Sequence, residues 1–152
     1  MSLRDLISNV KTVYHWTKTV TATETPSTGI SRKGFGSVLI QAAIGAVTNI
    51  ANSPQPSWTL KLEHSAAASS GYAAVAAADV ILANGKNDGS ITAGVYATID
   101  AAAEDDSIYT IGYIGAKEFL RVVATAANTP GATPIAVIFT LGLPALAPAD
   151  DG

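Results

Sequence analysis

The chain of 152 residues contains no cysteine. That absence excludes a disulfide scaffold, thiolate zinc sites, iron–sulfur ligation and a cysteine nucleophile. Charge is scarce as well: Asp, Glu, Lys and Arg make up 14% of the residues, against about 25% in an ordinary soluble domain. Aromatic residues account for 7%, and there are only two histidines. With so little charge, either partners cover part of the surface or the surface is built to be inert. Two charge-free windows stand out, yet neither is a membrane span. Gly34–Leu60 is interrupted by Gln41, Asn49, Asn52, Pro54 and Pro56, and Val122–Ala149 by Asn128, Pro130, Pro134, Pro144 and Pro148. Neither holds about 20 unbroken apolar residues, and both read as buried strands joined by turns. Met1–Asn9 has no apolar stretch of signal-peptide length.

What is present is apolar and small. Hydrophobic residues make up 48% of the chain, with alanine in runs such as Ala66-Ala67-Ala68 and Ala101-Ala102-Ala103. Alanine favours helices, but here β-branched residues, 13 glycines and 7 prolines are interleaved with it. That mixture indicates many short strands and turns. The length suits one domain with one core. Net charge is −3 and unevenly placed: residues 1–33 carry Arg4, Lys11, Lys18, Arg32 and Lys33 against Asp5 and Glu24, a balance of +3, while residues 34–152 have a balance of −6. The chain therefore divides into a basic N-terminal arm with a first edge strand, 1–33, and an acidic body, 34–152, within one domain.

Period-two patterning supplies the strands. Val10–Thr21 is dense in β-branched and aromatic residues, with Lys11, Val13, His15, Thr17 and Thr19 on one face and Thr12, Tyr14, Trp16, Lys18 and Val20 on the other. Both faces are mixed, which predicts an edge strand or one covered by a second copy through Val13, Tyr14 and Trp16. Phe35–Ile50 reads as a long apolar strand bent at Gly45. In Trp58–His64 the residues Trp58, Leu60, Leu62 and His64 alternate with Thr59, Lys61 and Glu63, giving one dry and one wet face. Tyr72–Leu82 reads as a short helix or two short strands. Ser90–Ile99, Ser107–Ile114, Lys117–Ala126 and Pro134–Leu143 are further strands, and Asp100–Asp106 is a single helical turn with Asp100 as its cap. Seven to eight strands with at most one or two helical turns predict an all-β fold, an antiparallel sandwich resembling a jelly roll.

No catalytic, cofactor-binding or metal-binding set emerges. His15 and His64 are far apart, and Glu63 points away from His64 in a strand. Asn84–Gly89 superficially resembles a calcium loop, but Lys86 and Val95 stand where oxygen ligands belong. Gly34-Phe35-Gly36 lacks the third glycine of a dinucleotide site, and no nucleophile elbow is present. The consecutive acids Glu104-Asp105-Asp106 read as a solvated turn. The bases are too sparse for nucleic acid. Arg121 is placed to lie over an aromatic ring or to pair with Glu118 or Asp106. The only exposed-aromatic cluster suited to a glycan is Tyr14, His15 and Trp16.

Tyr109–Thr125, then Thr133–Pro144 with Ala147-Pro148, resembles a family of small tailed-phage virion proteins encoded among head genes. Trp58–Ser65, Tyr72–Val75 and Ala78–Val80 are similar to an upstream stretch of that family, so that the likeness spans roughly residues 35–148. Glu118-Phe119 stands where the family shows a basic aromatic pair, and Ala66-Ala67-Ala68 replaces its acidic pair. The resemblance implies a capsid decoration, or cement, protein on the outer surface of a bacteriophage virion. It would be a structural protein without enzymatic activity, bridging subunits of the major capsid protein as a homo-oligomer, a dimer slightly favoured over a trimer. No cofactor, nucleic acid or membrane is expected among its partners. The +3 balance makes Arg4, Lys11, Lys18, Arg32 and Lys33 candidate capsid contacts, and residues 1–9 could span about 30 Å when extended. A tail or head–tail connector component, or a glycan-binding module associated with a fibre, is the alternative.

Overall fold

A computed structural model describes residues 6–82 and 88–145. It is nearly all β, with ten strands and two short 3-10 turns, Ile7–Asn9 and Ala77–Asp79. The strands are β1 (Val10–Val20), β2 (Ile30–Ser31), β3 (Phe35–Ile44), β4 (Ser57–Ser65), β5 (Ala73–Ala74), β6 (Val80–Leu82), β7 (Val95–Ile99), β8 (Ser107–Tyr113), β9 (Phe119–Ala127) and β10 (Thr133–Pro144). One sheet, here sheet A, runs β1-β10-β3-β8-β6; the other, sheet B, runs β2-β9-β4-β5, with β7 also on β4.

All pairings are antiparallel, and they nest. β1 pairs with β10, β2 with β9, β3 with β8 and β4 with β7, while β10–β3 and β9–β4 join these pairs side by side. A ribbon of four strand pairs rolled in this way is the jelly-roll arrangement, a closed solution to burying two sheet faces. The short strands β5 and β6 are additions within the connection from β4 to β7. The ten strands exceed the seven or eight expected through β2, Ile30–Ser31, which no sequence pattern marked, and through Tyr72–Leu82, where the two-strand alternative holds around a 3-10 turn.

The core lies between the sheets. Ile40, Ala42, Val137 and Phe139 from sheet A meet Trp58, Leu60, Leu62, Leu120, Val122 and Ala124 from sheet B, all of them fully buried. Each large apolar side chain so buried stabilises the fold by about 1.5–3 kcal/mol. The Trp58–His64 alternation of sides stands as expected from sequence through Leu62, but Glu63 on the expected wet side is buried and His64 on the dry side only half-buried. The expected strand Phe35–Ile50 stops at Ile44, because Gly45 N–H donates to the Pro134 carbonyl at 2.8 Å and the chain then turns, leaving Val47 and Ile50 buried beneath it. The expected strand Ser90–Ile99 begins only at Val95, after a turn closed between Thr92 and Val95. Gly94 sits in that turn at φ +80°, where a Cβ would lie 2.6 Å from the Leu62 carbonyl oxygen; only glycine suits both conditions.

The division at residue 33 does not separate a free arm from the body. β1 and β2 are integral strands of sheets A and B, because Val20 ends one strand and Glu24 already bridges Ala124 of the other sheet.

Two buried polar side chains make opposite demands on this core. Trp58 Nε1–H donates to Thr133 Oγ1 at 3.0 Å, with both residues fully buried. Tyr96 is also fully buried, but its hydroxyl has no hydrogen-bond partner among the described residues. Thr133→Val should cost about 1–3 kcal/mol by stranding the indole donor. Tyr96→Phe should leave stability unchanged or raise it. Urea unfolding midpoints of the two variants test the contrast.

Candidate interaction surface

Period-two geometry leaves sheet A with one face in the core and one facing outward. The outward residues are Thr12, Tyr14, Thr17 and Thr19 of β1; Ala136, Ile138 and Thr140 of β10; Ser37, Leu39, Gln41 and Ala43 of β3; Ile108 and Thr110 of β8; and Ile81 of β6. None is charged. In the five strands the only charged residues are Lys11 and Lys18, both on the edge strand and opposite the inward-facing Leu141 and Ile135. Large apolar groups project from this face, with Tyr14, Ile81 and Ile108 each about 60% exposed. Two hollows lie between the projections. One of about 290 Å³ lies over Gly112, between Leu39, Ile81 and Ile114. Another of about 360 Å³ lies toward the opposite end of the strands, among Thr17, Ala43, Ile108 and Ala136, with Asp106 of the preceding turn at its rim.

Charge is gathered on sheet B instead. Glu63, only 9% exposed, receives Arg121 Nε–H at 2.8 Å, Arg121 Nη2 at 2.7 Å and Lys61 Nζ at 2.8 Å. Arg121 also donates to the Pro26 carbonyl and lies 4.0 Å from the centre of the Tyr72 ring. The expected contact with an aromatic ring is present. Its ionic partner is Glu63, not Glu118 or Asp106, because the β4–β9 register sets Glu63 directly opposite Arg121. The cluster fastens the segment between β1 and β2 over sheet B.

Among the described residues the candidate capsid contacts do not form one patch. Arg4 lies outside the described residues. Lys18 pairs with Glu24 at 2.7 Å. Arg32 donates to the carbonyls of Lys117 and Gly115 and so braces the turn between β8 and β9. Lys11 lies near the start of β1, opposite Leu141, whereas Lys18 lies near its other end, opposite Ile135. Lys33 is exposed just before β3.

The candidate self-association residues also separate. The β1–β10 register shifts between Tyr14 and Trp16, so that His15 is an extra residue and the alternation changes phase. Trp16 consequently turns into the core, 6% exposed, and donates Nε1–H to the Val122 carbonyl of sheet B at 3.2 Å. It is a core residue, not one offered to a second copy. Val13 packs partly buried against the same core. Tyr14 remains outward, and its hydroxyl accepts Thr17 N–H at 2.7 Å, occupying a donor on the strand's edge. The phase change also breaks up the Tyr14, His15 and Trp16 cluster suggested for a glycan.

The remaining polar candidates hold turns. Glu104 accepts the backbone N–H groups of Asp100 and Ala101, so the cap of that turn is Glu104 and not Asp100. Asp88 accepts both the N–H and the hydroxyl of Thr98 at 2.9 Å; residues 83–87 of the calcium-like stretch lie outside the described residues. His64 Nδ1 hydrogen bonds with the Tyr113 hydroxyl at 2.9 Å. Among the described residues no group of three His, Cys, Asp or Glu could hold a metal ion.

Acid should loosen this arrangement in two stages. Burial pushes His15 down to about 4, aided by the positive charge of Arg121 and opposed by the Thr28 carbonyl. Burial lowers His64 too. Burial alone would raise the Glu63 carboxyl, but Lys61 and Arg121 outweigh it and hold Glu63 below 4.5. For all three groups the unfolded chain takes up the proton first, so stability falls as pH falls. The histidine contribution is complete above about 6.5 and is lost toward about 4; the Glu63 contribution is lost only below 4.5. His15→Phe should flatten the fall in melting temperature between pH 6.5 and 4.5, leaving the smaller His64 share. Glu63→Gln should cost about 2 kcal/mol or more at pH 7, below the 3–5 of a fully enclosed pair because some solvent reaches it. Thermal melts across that pH range check both.

Comparison with protein-family models, curated proteins and solved structures gives no match.

Proposed function

We propose that this chain is a structural virion protein that decorates a phage capsid from outside, adding buried area across the seams between major capsid protein subunits. One observation carries the reading: a broad sheet face whose outward strand positions carry no charge, suited to burial by protein in an assembly, on a chain of net charge −3. Interface cores are depleted of charge in this way, and exposed apolar patches of this extent mark sites of association. The jelly-roll architecture is shared by viral capsid and lectin domains, which supports the reading only as an analogy of fold.

The contact with the shell falls to the N-terminal arm. Leu6 and Ile7 are 69% and 86% exposed, and the 3-10 turn beginning at Ile7 buries no residue. Exposed apolar side chains at the end of a chain suit insertion between subunits of a shell.

Quantitative mass spectrometry of purified virions tests the assignment. A copy number comparable with that of the major capsid protein is expected; only a few copies per particle would give the chain to the tail or the connector. Deleting residues 1–9 should leave the melting temperature unchanged and sharply weaken binding to shells stripped of the native protein. Equal binding by the truncated and full-length chains would remove the arm from the contact.

A further inference from the structure

We infer that the charge-free face of sheet A is covered by a second copy of this chain, the two sheets packing face to face about a two-fold axis. The proposal rests on the preceding reading only in taking the face as one buried by protein.

Electrostatics select the occupant. Two copies each carry a net charge of −3, and an approach through their acidic surfaces sets like charge against like. A two-fold contact presents the same patch on both sides, so every charge on that patch would meet its own kind. The outward positions Leu39, Gln41, Ile108, Thr110, Ile138 and Thr140 carry none. Apart from Asp106, which lines the hollow beside Ile108 at one end, this face can meet itself without repulsion.

Extent and shape agree. Five strands about 4.8 Å apart and eight residues of about 3.3 Å rise outline about 600 Å² per copy. Two copies then bury about 1,200 Å², the lower bound of a standard stable interface. The hollows beside Leu39 and Ile108 alternate with projecting isoleucines, a relief in which side chains of facing sheets interdigitate at a spacing of about 10 Å.

The edge offers a poorer route. β1 is long enough to pair with another strand, but it carries a bulge at His15, Lys11 and Lys18 along its length, and a Thr17 N–H already taken by Tyr14. Bulges and lysines are the devices that protect edges from pairing. The described part of the arm assigned to the shell, Leu6–Asn9, leads directly into the start of β1.

Sedimentation equilibrium of the full chain is the test. Wild type should sediment at twice the monomer mass at micromolar concentration. Leu39→Lys and the more exposed Ile108→Lys should each sediment as monomers with circular dichroism unchanged. Thr125→Lys, on the outward side of sheet B, should remain dimeric. Because the chain has no cysteine, a nitroxide on Gln41→Cys reports one site per copy. Spin labels at Gln41 should lie close across the dimer, whereas labels at Thr125→Cys should be separated by about three sheet spacings, about 30 Å. A monomeric wild type, or a dimer indifferent to lysine at both Leu39 and Ile108, overturns the proposal. A monomer that still coats shells overturns it while leaving the decoration reading intact; a dimer that never binds shells does the reverse.

Discussion

The pairing of β3 with β10 joins the two charge-free windows of the sequence into the middle of one sheet, from Ile44 opposite Ile135 to Phe35 opposite Pro144. Its register determines which side chains the molecule hides. Val38, Ile40, Ala42 and Ile44 lie inward beside Ile135, Val137, Phe139 and Leu141, all of them buried. A slip of one residue would exchange this set for Leu39, Gln41, Ala43, Ile138 and Thr140. The inward set holds the β-branched and aromatic bulk that sheet B requires for packing, so the register is strongly specified. β1 and β8 then attach to the two sides of this pair.

The outer face follows from the same pairing. Strands buried on one side normally alternate with charged residues on the other. Here the outward positions of the central strands are Ser, Thr, Ala, Gln, Leu and Ile. Such residues keep the face compatible with a sheet without making it strongly hydrated. The opposite sheet shows what the chain does where it has charge to place. On β4 and β9, Lys61, Glu63 and Arg121 are tied into one network with Tyr72 and the Pro26 carbonyl. An ion pair this enclosed adds little net stability, but removing one partner is costly. Its effect is to fix the segment between β1 and β2 to sheet B.

Much of this was legible in the sequence, and what was not has a physical reason. Trp58–Leu62 declared its dry and wet sides because its alternation is unbroken, whereas the burial of Glu63 comes from Arg121 and Lys61 closing over it. The two charge-free windows were visible as buried strands; their union into one outward face was not, because pairing order is not written in local periodicity. β1 was visible as a mixed edge strand, and its inward side does carry Lys11 and Lys18, but reading an unbroken period across His15 put Val13 and Trp16 on opposite faces. With the bulge included, Val13, Trp16 and Val20 share the inward side. Nothing local in Tyr14-His15-Trp16 marks that extra residue, which is fixed by the partner strand. The partner of Arg121 was missed for a related reason. Glu118 and Asp106 are nearer in sequence, whereas Glu63 arrives opposite through the β4–β9 register.

A protein with one uncharged face risks unlimited association, and the distribution of features here limits it. Open assembly requires either a pairing edge or two different sticky surfaces. The long edge of β1 is bulged at His15, carries lysines and has Thr17 N–H occupied by its own Tyr14. β2, at an edge of sheet B, is only two residues long, and the segment continuing from it is fastened by Arg121. Charge on sheet B and a net −3 on the whole chain keep the remaining surfaces apart, since like-charged bodies repel in solution. Among the described residues the outer face of sheet A is the extended surface without charge on its strands, and two copies closing on it, as proposed, would leave no equivalent sheet face. Scarcity of charge therefore need not mean open-ended association, because lysines stand on the long edge of β1 and the ionic cluster of Lys61, Glu63 and Arg121 on sheet B.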